Sequence, residues 1–301
     1  MLSSPTTADI NLLDSGAWYA PLPGFEFTRC EGADSVRFLQ GQLSCNLQKL
    51  TPAQSLRGAL CNLKGRVITD LRVLPDDNGV VLMTQHEMRE ELITTLDKYR
   101  VFFKTKLEPL AGELAVFGMG GTDLRPVAES LGIVLPTLPD QISAQAGLSI
   151  ICLPQSKLSK FPRFLGVMQT GHLDAKKTME NIANVLTLLP ESCWQLADIR
   201  DGQVHIRRDQ TGLFTPQLLN YDINGVIDFK KGCYTGQEIV ARMHYRAEAK
   251  SRLYHLKSTG PADGADDVLA TVALADGSVE SLVVLDVSVA QNRPDTTDFS
   301  S

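Results

Sequence analysis

At 301 residues the chain exceeds the usual size of one domain, so two or three cores are expected, and its 43 % hydrophobic content is ample to fill them. A formal net charge of -6 weighs against a dedicated nucleic-acid binder. The opening MLSSPTTADINLLDSG holds no basic residue, which fits neither a secretory signal nor an arginine-rich transit peptide, and no apolar run is long enough to span a membrane. Six cysteines, at 30, 45, 61, 152, 193 and 233, are scattered without a CxxC or a zinc-spaced Cys/His pair. That pattern argues against a disulfide framework or a structural metal and points to a reducing, cytoplasmic setting.

Residues before Gly24 are rich in Pro, Ser and Thr and read as a loose lead-in. Residues 25–30 alternate as a strand, and Asp34 is placed to cap a short helix through Val36 and Leu39 that ends near Gly41. Two β-like runs, SLRGALCNL and RVITDLRVLP, flank Lys64-Gly65, a hairpin signal, and GVVLMT after Asp76-Asp77-Asn78-Gly79 extends them into an antiparallel meander. Over residues 86–100, Met88, Leu92, Leu96 and Tyr99 recur at helical spacing. Strands at 104–110 and 114–118, a helix at 123–131 and a Pro-rich loop at 136–139 follow. Further β-like runs at 148–153 and 163–168 precede a helix over 174–189, with Met179, Ile182, Ala183 and Leu186 as its buried stripe. Strands outnumber helices without a regular βαβ period, so the class is α+β.

Residues 190–200 read as a helix carrying Cys193 and Trp194. Residues 201–228 show so little regular pattern that a functional loop is indicated. The next stretch, FKKGCYTGQEIVARMHYR, is the densest in chemistry. Thr235 and Glu238 have capping-box spacing, which starts a helix near Gly236 with Ile239, Val240 and Met243 on its buried face and Gln237, Arg242 and Arg246 left polar. Cys233 then lies beside the helix's positive end and after Lys230 and Lys231, conditions that favour a thiolate. The competing reading is a small buried hydrophobe. After Lys250, SRLYHLKS, a Gly/Pro/Asp-rich turn, VLATVALADG and SVESLVVLDVSVA form a small β unit with a hairpin at Asp276-Gly277, and a polar tail from Gln291 reads as frayed.

The run KGCYTGQE resembles the signature of the YgfZ family of folate-binding proteins, relatives of the aminomethyltransferase of the glycine cleavage system that include mitochondrial iron–sulfur assembly factors. Three further segments agree in order and spacing: GADSVRFLQGQLSCNL, CNLKGRVITDLRVL, and CWQLADIRDGQVHI followed by FTPQLLNYDINGVIDFKKGCYTGQE. The resemblance implies two intertwined α+β units over residues 1–249 around a central channel for tetrahydrofolate, a small C-terminal β-barrel over 250–290, and a flexible tail over 291–301. It implies a monomeric accessory protein for assembly or repair of iron–sulfur proteins, indirectly supporting tRNA modification, without direct tRNA contact. Whether it is an enzyme stays open.

Carried over by position, Cys233 is the functional thiol, a transient cluster ligand at most and not part of a resident metal site, and Lys231 is its basic neighbour. Phe25 and Trp194 are the aromatic folate positions. Asp70, Gln237, Glu238 and Arg242 complete the expected ligand set. Trp194 reads equally as a core tryptophan, and Asp70 as a solvated hairpin carboxylate. Aminomethyltransferases carry adjacent aspartates where this chain has Thr69-Asp70, and an acid near the pterin where it has Arg200. The resemblance therefore implies folate binding without glycine-cleavage chemistry. A folate-dependent one-carbon transferase acting on a small amine or tRNA, and a direct tRNA-binding protein, are the alternatives.

Overall fold

The computed structural model describes residues 3–122, 124–246, 248–260 and 267–299. Its first element corrects the reading of a loose lead-in. The Thr6 hydroxyl accepts from the Asp9 backbone N–H at 3.1 Å and the Asp9 carboxylate accepts from the Thr6 N–H at 2.9 Å. This reciprocal cap starts α1 (Thr7–Ser15). Next, β1 (Ala17–Pro21) runs inside a sheet and buries Trp18 to 1 % exposure. Withdrawal of roughly 200 Å² of aromatic surface from water decides the outcome against the loop-like composition.

The first half of the chain supplies β2 (Phe25–Glu31), α2 (Ser35–Gln40), β3 (Leu56–Cys61), β4 (Val67–Asp76), β5 (Gly79–Gln85), α3 (Arg89–Arg100) and β6 (Lys106–Pro109). The five strands form an antiparallel sheet in the order β3-β4-β5-β2-β6. Both expected hairpins are present. Asp34, however, does not cap α2; its carboxylate accepts the Lys104 backbone N–H at 2.9 Å and ties the helix entry to the segment before β6. Leu92 and Leu96 of α3 are fully buried, as their spacing predicts.

A second sheet uses β7 (Leu114–Gly121), β8 (Ile142–Gln145), β9 (Leu148–Cys152), β10 (Arg163–Gln169) and β11 (Thr187–Leu188), with helices α4 (Arg125–Leu131) and α5 (Leu173–Val185). Its order is β11-β1-β7-β10-β9-β8. The helix expected over 174–189 stops at Val185, and Thr187 and Leu188 pair in parallel with β1. Pro190 disfavours helical backbone at Leu189 and so bars a helix through 189, while the pairing of Thr187 and Leu188 with β1 accompanies the stop at Val185. On α5 the core contacts come from Ala175 and Ile182, with Met179 partly buried and Ala183 exposed. The expected start at residue 123 lies outside the described residues.

The chain continues through α6 (Glu191–Arg200), a long irregular segment, and α7 (Gln237–Arg246). It closes with β12 (Ser251–Ser258), β13 (Asp267–Ala273), β14 (Val279–Asp286), α8 (Val287–Gln291) and β15 (Thr296–Asp298). These last strands form an open antiparallel sheet, β13-β14-β12-β15, in place of the expected barrel; among the described residues β13 and β15 remain its edges. Most of the Gly/Pro/Asp-rich turn, residues 261–266, lies outside the described residues. The described part of the tail, to Phe299, includes a strand. Thr296, Thr297 and Asp298 pair with β12, and Phe299 packs against the main core beside Gly202.

The α+β class is thus as expected, and the elements converge on α6. Strand β7 reads AVFGMGG because two tryptophan rings lie against it: a Cβ at Gly118 would sit 2.1 Å from the Trp194 ring, and one at Gly120 would sit 2.6 Å from Trp18. Glycine at these two positions creates the floor on which both rings rest.

Candidate functional site

The end of β2, one side of α6 and β13 enclose a cleft of about 270 Å³, walled by Phe25, Trp194, Ile199 and Leu269 with Asp198 and His205 among its polar groups. Past Phe25 and His205 it continues into a polar chamber of about 60 Å³ that reaches Asp70, Thr84 and Tyr221. A wider cleft of about 420 Å³ between the β4–β5 turn and β8–β9 has no aromatic wall. Convergence of apolar walls with a few polar groups marks the first as the candidate site.

Its polar groups form one chain. Arg163, 4 % exposed at its side chain, donates to Asp198 at 2.8 Å and to Asp201 at 2.8 Å, and its guanidinium lies 4.5 Å over the Trp194 ring. Trp194 in turn meets Trp18 edge-on at 6.2 Å. His205 bridges the two carboxylates: Nδ1 is 3.2 Å from Asp70 and Nε2 is 3.3 Å from Asp198. Burial opposes a charge on this ring, but hydrogen bonds and attraction from Asp198 and Asp70 outweigh it and raise its pKa to about 10. His205 is therefore an imidazolium at neutral pH, and Phe25 packs edge-on against it at 5.6 Å. The remaining Asp70 oxygen accepts the Ile206 N–H at 2.7 Å. Burial opposes the Asp198 carboxylate, yet Arg163 and His205 hold its pKa below the usual range.

Three of the residues singled out from the sequence, Phe25, Trp194 and Asp70, meet here, although they belong to a strand, a helix and a hairpin far apart in the chain. His205 and Asp198 were not singled out. No local spacing marks them, because the groups that give them meaning lie on other elements; the irregular 201–228 segment was the signal available. Arg200 requires a correction. Its guanidinium does not face the cleft but pairs with Glu280 at 2.9 and 2.8 Å and with Asp14 at 2.9 Å. The chambers retain carboxylates, Asp70 in the inner one and Glu87, Glu191 and Asp198 in the outer one, so the reversal of charge at 200 does not empty the site of acid.

Cys233, Lys231, Gln237, Glu238 and Arg242 line neither chamber. Lys231 is 7 % exposed, and its ammonium donates to the carbonyls of Gln40, at 2.7 Å, and Leu43. Burial lowers its pKa to about 8, with Cys45 and Asp228 pulling the other way. Its charge is thus committed to the loop after α2 and does not serve Cys233. The Thr235–Glu238 capping box is also absent. Thr235 donates its hydroxyl to Gln42 at 3.0 Å, Glu238 is exposed, and Gln237 caps the turn by accepting the Tyr234 N–H at 3.1 Å. Gly236, at φ +82°, leaves no room for a side chain above Asn62. Helix α7 accordingly begins at Gln237, with Val240 buried and Ile239 and Met243 partly so. Arg242 is exposed, and Cys233 is the exposed cysteine among five buried ones.

Comparison with known proteins gives a concordant answer. "tRNA-modifying protein YgfZ" of Escherichia coli O6:H1 is 32 % identical over 270 residues, covering 84 % of this chain and 81 % of the relative. This chain belongs to the YgfZ family. The protein of the same description from Shigella dysenteriae serotype 1 is 31 % identical over 270 residues, with the same coverage. No protein-family model matches the chain. Among solved structures, the glycine cleavage system aminomethyltransferase T from Bartonella henselae superposes with a TM-score of 0.73, covering 95 % of this chain and 84 % of that one at 14 % identity. This chain therefore has the aminomethyltransferase fold. No helix among its described residues is long and apolar enough to cross a membrane.

The residues of the cleft suit a folate. Trp194, Tyr221 and Thr84 line the two chambers, and their Nε1, OH and Oγ1 atoms are buried without a hydrogen-bond partner in the protein. Such atoms cost free energy unless a ligand or solvent completes them. Aromatic walls and carboxylate acceptors match a flat heterocycle rich in N–H groups.

Proposed function

We propose that this protein is a cytoplasmic, monomeric, tetrahydrofolate-binding accessory factor that supports tRNA modification through the assembly or repair of iron–sulfur proteins. The observation that carries the folate reading is the continuous cleft in which Phe25 and Trp194 flank the Asp70–His205–Asp198 chain. Family membership supports the tRNA-modification role. When bound, a tetrahydrofolate would supply a reduced, oxidisable ring or, in its substituted forms, a one-carbon unit; the residues named here bind and orient it. Cys233, Lys231, Gln237, Glu238 and Arg242 belong to a second locus outside the cleft, where the exposed thiol is a transient ligand or redox group. With the other cysteines buried, any cluster held there takes its remaining ligands from a partner.

A second reading, a one-carbon transferase, is favoured by the His205 imidazolium held between Asp70 of the inner chamber and Asp198 of the outer cleft. Calorimetric titration with tetrahydrofolate tests the first reading. Binding should weaken about tenfold or more in Asp70→Asn, a loss of the size expected for a charged hydrogen-bond partner. Equal heats in parent and variant contradict it. Turnover of 5,10-methylenetetrahydrofolate with an amine or tRNA substrate favours the transferase.

A further inference from the structure

The end of the molecule at α7 carries exposed apolar and cationic side chains that the folate cleft does not use. Three segments meet there. A Cβ at Gly236 would lie 2.3 Å from the Asn62 carbonyl oxygen, and one at Gly65 would lie 2.9 Å from Ile239, so α7 rests directly on the β3–β4 hairpin. Arg66 donates to the Leu213 carbonyl, which joins the 212–214 turn to the same hairpin. The hairpin tip, that turn and the start of α7 form one continuous surface.

On this surface Leu63 stands 74 % exposed and Leu213 52 % exposed. Both occupy turns, where polar residues are the rule and nothing within the chain repays exposed aliphatic area. Around them Lys64, Arg66 and Arg242 are exposed and have no carboxylate at ion-pair distance among the described residues. Glu238 is the acidic side chain at this end of α7. The local charge thus opposes that of the chain, whose formal net charge is -6.

We infer that this surface docks an acidic protein segment carrying aliphatic side chains, and that docking delivers the partner to the exposed thiol of Cys233. Apolar anchors with a cationic rim fit such a segment on both counts. Cys233 lies three residues before Gly236, at most about 11 Å along the chain, within reach of a docked partner. A nucleic-acid strand fits less well. Its phosphates match Lys64, Arg66 and Arg242, but Leu63 and Leu213, the exposed anchors, give its bases no aromatic face to stack on. Tyr245, an exposed ring of α7, is eight residues past the helix start, about 12 Å along its axis. The inference rests on the function proposed above only for what docking achieves; binding of the segment requires no folate.

The test is selection of a random dodecapeptide library on the full chain, followed by affinity measurements with synthetic peptides. Enriched sequences should combine Asp or Glu with aliphatic residues, weaken with added salt, and lose at least about tenfold in affinity for the Leu63→Ser/Leu213→Ser variant. The charge-reversed Lys64→Glu/Arg242→Glu variant should lose them as well. Failure to enrich, selection of basic peptides, or equal affinity for parent and leucine variant overturns the inference. So does a uridylate 20-mer that binds the parent and not the leucine variant, which assigns the surface to RNA. Tetrahydrofolate titration of the same variants separates the two claims: loss of peptide with folate binding intact concerns docking alone, and absence of folate binding in the parent concerns the cleft alone.

Discussion

At the level of single residues, the site is held by one histidine between two carboxylates. Because the folded-state pKa of His205 is raised to about 10, its contribution to stability is complete below the ordinary histidine value of about 6.5 and is lost as pH rises through about 10. Lys231 acts in the opposite sense. Its pKa, depressed to about 8, penalises the folded state most below that value and relaxes toward the ordinary lysine value of about 10.4. The two trends overlap, so the informative quantity is a difference. Urea denaturation from pH 6 to 10 should show His205→Gln losing most relative to the parent at pH 6, with the gap narrowing toward pH 10. A gap independent of pH contradicts the ion-paired imidazolium. Lys231→Met leaves the Gln40 and Leu43 carbonyls without their donor and should cost about 1–3 kcal/mol, read by the same denaturation at neutral pH. None of this was legible in the chain. Adjacency in sequence linked Lys231 to Cys233, whereas the long side chain turns to carbonyls nearly two hundred positions away.

At the level of elements, the strongest expectations rested on strong local chemistry. The Lys64-Gly65 and Asp-Asp-Asn-Gly turns formed hairpins, and the periodicity of 86–100 gave a helix. Where composition stood in for chemistry, the reading missed. The capping box that orders the N-terminus was present in TTAD, and Trp18 was waiting for a glycine on β7, a pairing visible only in three dimensions. Thr6→Ala should remove that cap and lower stability by about 1 kcal/mol, observable in thermal or urea unfolding. Gly118→Ala places a methyl inside the Trp194 ring and should cost about 1–3 kcal/mol or more while displacing the indole from the cleft. Tryptophan emission then shifts even without ligand. An unshifted spectrum in a folded Gly118→Ala variant contradicts the close packing.

At the level of the whole molecule, two loci sit on one scaffold. The aromatic cleft lies on β2, α6 and β13, while the motif loop before α7 is stitched to the segment after α2 through Lys231 and Thr235 and leaves Cys233 in solvent. The family and the α+β fold were legible in KGCYTGQE and its companion segments. The separation of thiol from cleft was not, because it depends on how the loop packs. The most direct measurement is titration with tetrahydrofolate, 5-formyltetrahydrofolate and unreduced folate, followed by tryptophan emission in the parent, Trp194→Phe and Phe25→Leu. Saturable quenching by the reduced folates is expected, abolished or strongly reduced in Trp194→Phe and shifted to about tenfold or higher concentration in Phe25→Leu, as for loss of an aromatic contact. Absence of saturable quenching in the parent, or quenching unchanged in both variants, would contradict a folate site at this cleft.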